Sequence, residues 1–234
     1  MGHFIADERR RWPAGIIPYE IDAAFTRAGE ADDPAEELPA ALIRRAIGEW
    51  NHKTILRLVP WNGEADYLSF APTPEVSQSE FVGCNGGRQQ ILLNLRRARA
   101  LGSEFGGTAL GVVVHEIGHA VGLLHEHQRR DRDDYVTVAW DNVEPRRTCG
   151  FCIRVQDAGC AECSLKLGRP VGPYDYDSVM HYFPTQGAVD SARPTLVPRA
   201  AGAPDQLPIA RGFGRCDGLS QGDIDTIAAV YKER

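Results

Sequence analysis

The sequence predicts an α+β fold in which several strands precede one buried helix and a loop-rich second half closes on a final helix. Three observations carry this reading. β-Favouring segments recur before Gly106, a long, mainly apolar stretch runs from Ala109 to Leu124, and regular signals thin out after Val143 until Ser220.

The segment Ile16 to Ile21, behind Trp12-Pro13, mixes apolar and β-favouring residues and reads as the first strand. Ala40, Leu42, Ile43, Ala46, Ile47 and Trp50 then recur at helical spacing, so Pro34 to Asn51 is expected to be an amphipathic helix. Ile55 to Val59 and Tyr67 to Ala71 follow as strands, the second broken by Pro72 and Pro74. Gly83 to Gly87 makes a turn, and Gln90 to Leu95 resumes the extended pattern. Ala109 to Leu124 is the buried helix. The last helix is announced by Ser220 as its cap with Asp223 three residues on, and Ile224, Ile227, Ala228 and Tyr231 supply its apolar face.

The 234 residues suit one domain, residues 1–234, with lobes of about 1–124 and 125–234. A net charge of −6 argues against nucleic acid as a partner, since no basic face dominates. The arginine clusters at 9–11, at 96, 97 and 99, and at 129, 130 and 132 read as solvated surface, with substrate contact the minority alternative. No stretch is long and apolar enough to span a bilayer, because Ala109 to Leu124 carries His115, Glu116 and His119. A monomer is expected.

The chemistry sits in that same segment. His115-Glu116-Ile117-Gly118-His119 sets two imidazoles one helical turn apart on one face, a spacing that suits two ligands on one zinc. Glu116, beside the first ligand, can reach a water on the metal without taking up a coordination position. Gly122 can adopt a left-handed backbone, ending the helix and turning His125 back as a third ligand. Three histidines leave one position for water, as a catalytic zinc requires. Together with the later Ser178-Val179-Met180-His181-Tyr182, this is the metzincin pattern.

The chain resembles the astacin family of metallopeptidases. The likeness runs from His115 through Glu126 into Arg129-Arg130-Asp131-Arg132-Asp133-Asp134-Tyr135-Val136, and includes Tyr174 to Tyr182 as the methionine turn. It also takes in Trp12-Pro13 with Ile17-Pro18-Tyr19 at the start, and Leu219-Ser220 with Asp223-Ile224 in the final helix. The resemblance implies a two-lobed zincin fold, with a mixed twisted sheet and the active-site helix in the first lobe. It implies a zinc endopeptidase acting on polypeptides, with His115, His119 and His125 as zinc ligands and Glu116 as general base. Tyr182 would be a further ligand and, once off the metal, a stabiliser of the oxyanion. Met180 would floor the metal, and Glu126 would be structural, linked to a processed amino terminus. Secretion is implied as well. Two readings from other classes stand beside it: a zinc-bearing peptide-binding module with little catalysis, and a metal-dependent hydrolase of small molecules.

An extended substrate is expected to add a strand beside Gln90 to Leu95. Cys149, Cys152, Cys160 and Cys163 form two Cys-x-x-Cys pairs in an insertion over about 149–163. Disulfides are the expected state, with a second, structural zinc as the alternative, since the intervening loop is shorter than usual ribbon spacing. Cys84 and Cys216 are available for one further bridge.

Overall fold

The structure is a computed structural model, and it describes residues 2–26, 38–98, 108–153, 168–199 and 217–232. Strands β1 (His3–Ile5), β2 (Ile16–Ile21), β3 (Arg57–Pro60), β4 (Tyr67–Pro72), β5 (Gln78–Ser79) and β6 (Arg88–Leu93) precede the second helix; α1 (Pro39–Lys53) lies between β2 and β3. Helix α2 (Ala109–Val121), β7 (Leu123–Leu124), β8 (Val136–Val138), β9 (Gly168–Pro170), β10 (Leu196–Pro198) and α3 (Gln221–Lys232) complete the order. The fold is the expected α+β arrangement.

Five strands form one mixed sheet in the order β3-β2-β4-β6-β5. All neighbours run parallel except β5, which is antiparallel to β6 through Gln78↔Leu92 and Ser79↔Ile91. β6 is therefore not an edge. The expected docking line beside Gln90 to Leu95 is occupied by β5, a two-residue strand too short to show a period in the sequence.

Helices α1 and α2 pack on each other and, with the sheet, bury the main core, which includes Trp12, Trp50, Phe70, Val113 and Ile117. Side chains from three distant segments also grip the backbone of α2. Trp50 Nε1 donates to the carbonyl of Val114 (3.2 Å), Trp12 Nε1 to Ala120 (2.8 Å) and the Tyr231 hydroxyl to Val121 (3.0 Å). A second apolar cluster gathers Val136, Val138, Phe151, Tyr174, Tyr176 and Leu196 in the half beyond α2.

Several boundaries differ from the sequence reading. The first helix begins at Pro39, with Leu38 as its cap, and residues 34–37 lie outside the described residues. Helix α2 stops at Val121 because Gly122 takes a φ of 114°, and Leu123–Leu124 becomes a strand paired with β1. The arginine cluster at 129–132 is not all solvated: Arg129 and Arg132 are buried, as is Arg11. At the first two, burial is tolerated because each is satisfied. Arg129 grips Asp131 through two nitrogens (2.9 and 2.7 Å) and donates to Glu126 and to the carbonyls of Gly172 and Pro173; Arg132 reaches the carbonyls of His127 and Phe151.

Gly122 carries a second constraint. A Cβ placed there would lie 2.5 Å from the ring of Phe4, which fills the space over the turn. Gly122→Ala combines an unfavourable φ with that clash and is expected to destabilise the fold by about 2 kcal/mol or more. Urea unfolding of the two proteins measures it, and equal midpoints would contradict the account.

Candidate active site

Helix α2 holds His115 and His119 one turn apart, and the left-handed turn at Gly122 returns His125 to the same place. The Nε2 atoms converge: His119 to His125 is 3.2 Å and His125 to His115 is 3.3 Å. Among the described residues these three form the one group of ligand-type side chains close enough to share a metal ion. A tetrahedral zinc with Zn–N bonds of about 2.0–2.1 Å holds its nitrogens roughly 3.3–3.4 Å apart, so the triad has the span zinc needs.

The hydrogen bonds on the far side of two rings fix which nitrogen is free. His115 Nδ1–H donates to the carbonyl of Val179 (2.7 Å), and His119 Nδ1–H to that of Leu123 (3.0 Å). Both Nε2 atoms therefore carry lone pairs, and the short Nε2–Nε2 approaches mark a place for a cation. Burial lowers the pKa of His119 to about 3, so its ring is a neutral donor at ordinary pH. His3 Nδ1 meets the carbonyl of His125 (3.1 Å), tying strand β1 to the third histidine.

Glu116 is buried beside the triad, and its Oε2 accepts the backbone N–H of Ser79 at 2.8 Å. Burial raises its pKa, partly offset by the charge of His115 and the Ser79 hydrogen bond, which moves it towards the range of a proton shuttle. The side chain of Ser79 gives no hint of this contact, since only its amide is used.

Beneath the triad lies the turn at Ser178 to Tyr182. A Cβ on Gly118 would come within 2.5 Å of Met180 Sδ, so the glycine admits the methionine under the helix. The turn is pinned from α3. Asp223 accepts from Ser178 Oγ (2.6 Å), the Val179 amide (3.0 Å) and the Ser220 amide (3.0 Å), while Ser220 Oγ caps Asp223 in return (2.9 Å). The capping box read from the sequence thus also positions the carbonyl that holds His115.

Tyr182 lines the cleft with its ring between His127 (centroids 4.0 Å apart, stacked at 30°), His125 (4.7 Å) and Phe151 (5.5 Å, edge-on). The adjacent His181 is buried; the Tyr174 hydroxyl donates to its Nε2 (2.7 Å) and its Nδ1–H to the Tyr182 carbonyl (2.7 Å). Glu126 is fully buried, accepting from Arg129 (3.1 Å) and the Asp175 amide (2.9 Å), and burial drives its pKa up to about 8. Its expected link to a processed amino terminus has no counterpart among the described residues.

A cleft of about 410 Å³ runs past these groups, lined by Ser77 and Asn94 on one side and by Tyr182, Phe183 and Gln186 on the other. Of the insertion cysteines, Cys160 and Cys163 lie outside the described residues, as does Cys216. A second zinc there has no support among the described residues. Cys84 is a buried free thiol, so the bridge to Cys216 is not made.

Three histidines around a metal-sized gap, a buried carboxylate at its rim and a methionine turn below define the class of zinc-dependent metallopeptidases. The family profile described as Astacin, a peptidase family, matches residues 4–232. The chain belongs to the astacin family. It is 32% identical to Nematocyst expressed protein 6 of Nematostella vectensis over 96% of this chain and 66% of that protein. It is 31% identical to Tolloid-like protein 2 of Mus musculus over 95% of this chain and 19% of that protein. In structure it is similar to high choriolytic enzyme 1, a hatching enzyme zinc-protease of Oryzias latipes. That match has a TM-score of 0.68 at 27% identity, covering 96% of this chain and 94% of that one. The chain thus spans less than two thirds of the length of these sequence relatives.

Two outcomes are expected. Asp223→Ala removes three buried hydrogen bonds and is expected to cost about 3 kcal/mol and to weaken zinc retention roughly tenfold, read by chelator competition. His3 and His181, both lowered to about 4 chiefly by burial, should keep the ring signals of neutral imidazole far below the ordinary ~6.5. The fold favours their neutral form, so their contribution is complete above about pH 6.5 and is lost as pH falls towards 4. An NMR titration with both midpoints near 6.5 would refute this.

Proposed function

We propose that the chain is a secreted, monomeric zinc endopeptidase that hydrolyses polypeptides, with Glu116 as its base and His115, His119 and His125 as its metal ligands. The observation that carries the proposal is the convergence of three Nε2 atoms at 3.2–3.3 Å with Glu116 beside them. Zinc in that triad supplies a Lewis acid and brings the pKa of a coordinated water to about 7. Glu116 takes the proton of the attacking water and passes it to the departing amine, a role its raised pKa suits. Tyr182, at the cleft wall, donates its hydroxyl to the oxyanion and serves as a further ligand when no substrate is bound.

The edge strand supports a polypeptide over a small molecule. β5 leaves one side unpaired by the sheet, and Ser77 just before it lines the cleft, so an extended chain can lie along it. A pure binding module would have no need of a buried carboxylate at the metal rim. For the insertion we propose disulfides among Cys149, Cys152, Cys160 and Cys163, a reading favoured over a second zinc because no ligand group beyond the histidine triad is found among the described residues. No helix among the described residues is long and apolar enough to cross a membrane.

Glu116→Gln is expected to keep one zinc per chain and lose casein hydrolysis by about 10²- to 10⁴-fold. Chelation of the parent protein should abolish digestion and added zinc restore it. Turnover retained by the variant at normal zinc content would remove Glu116 from its role.

A further inference from the structure

We propose that His127 and Gly150 are positioning residues for Tyr182, one holding its ring from the face and the other leaving room for its hydroxyl. The proposal rests on the reading of Tyr182 as a group that touches the metal or the oxyanion.

His127 is fully buried on the short turn that follows ligand His125. Its ring lies on Tyr182 with centroids 4.0 Å apart and planes 30° from parallel, closer than the contacts of that tyrosine with His125 and Phe151. A phenol stacked on an immobile imidazole can slide in its own plane but resists tipping out of it. His127 is immobile because it is tied to the segment Pro145–Phe151. Its Nε2–H donates to the Gly150 carbonyl (2.9 Å), which also accepts from the Gln128 side chain. Arg132 then bridges the carbonyls of His127 (3.1 Å) and Phe151 (2.7 Å).

Gly150 meets the same tyrosine from another direction. A Cβ there would lie 3.3 Å from the Tyr182 hydroxyl oxygen and 3.7 Å from its ring. Gly150 is absent from the positive-φ glycines, so its backbone makes no demand for glycine. A side chain at this position would instead crowd the hydroxyl and push it aside by a few tenths of an ångström. The segment leading into the cysteine-rich insertion therefore doubles as one wall of the tyrosine's track.

Copper(II)-loaded protein gives a readout independent of turnover, since a coordinating phenolate adds a ligand-to-metal absorption band in the visible. The parent protein is expected to show the band and Tyr182→Phe to lack it. His127→Ala and Gly150→Ala should each shift or weaken the band at one metal per chain, and lower kcat of the zinc form about tenfold with KM little changed. His127→Phe, which keeps a stacked ring, should recover most of the band. Should His127→Ala fail to fold, Gly150→Ala decides alone, since it adds a single methyl group. Bands and kcat equal to the parent's in the folded variants overturn the proposal, as does a loss of thermal stability with the band per bound copper unchanged. A parent spectrum identical to that of Tyr182→Phe sinks the reading of Tyr182 itself, and the proposal with it.

Discussion

Three imidazole nitrogens meet at 3.2–3.3 Å, and the rest of the structure is arranged to hold them there. The Nδ1 bonds of His115 to Val179 and of His119 to Leu123 leave the Nε2 atoms of those two rings turned to the gap. Apolar burial adds to it: at His119 desolvation disfavours the imidazolium that would otherwise relieve the crowding with a proton. A metal ion shared by the three rings can satisfy such a place without a proton on His119.

The support for that arrangement is a relay through backbone groups. Asp223, at the start of α3, fixes the amide of Val179, and the carbonyl of the same residue fixes His115. On the opposite side, strand β1 reaches His125 through His3 and fills the Gly122 turn with Phe4. The first strand and the last helix, far apart in sequence, each end at a different histidine of the triad. Mutual geometry within the triad is thereby a property of the whole chain. It is not local to α2.

Much of the site was legible in the sequence because its signals are local. Spacing along a helix placed His115 and His119, a glycine placed His125, and a cap motif placed Ser220 with Asp223. The sheet was legible where strands were long enough to show a pattern, as at Ile16–Ile21 and Tyr67–Pro72. The short strands β1, β5, β8, β9 and β10 escaped, since two or three residues carry no period and pairing fixes them from outside. Arg129 and Arg132 misled for a related reason: charge density says surface, whereas their burial depends on carboxylates and carbonyls brought in by folding. Ser79 and Gly150 act through an amide and through an absent side chain, neither of which residue chemistry announces.

The short strand β5 joins two tasks that would otherwise need separate devices. Along it the amides alternate: Glu80 N–H points into the sheet, to the carbonyl of Gln90 (2.9 Å), whereas Ser79 N–H points away from β6 and meets Glu116 (2.8 Å). The unpaired side of the strand is thus the side facing the buried carboxylate. Under the proposed function a polypeptide on the free edge runs past Glu116, and a shift of β5 that spoiled its docking would also release that carboxylate. The edge of the sheet and the placing of Glu116 are coupled through one amide. A two-residue strand suffices for this, because the next strand in the sheet, not its own length, holds it in place.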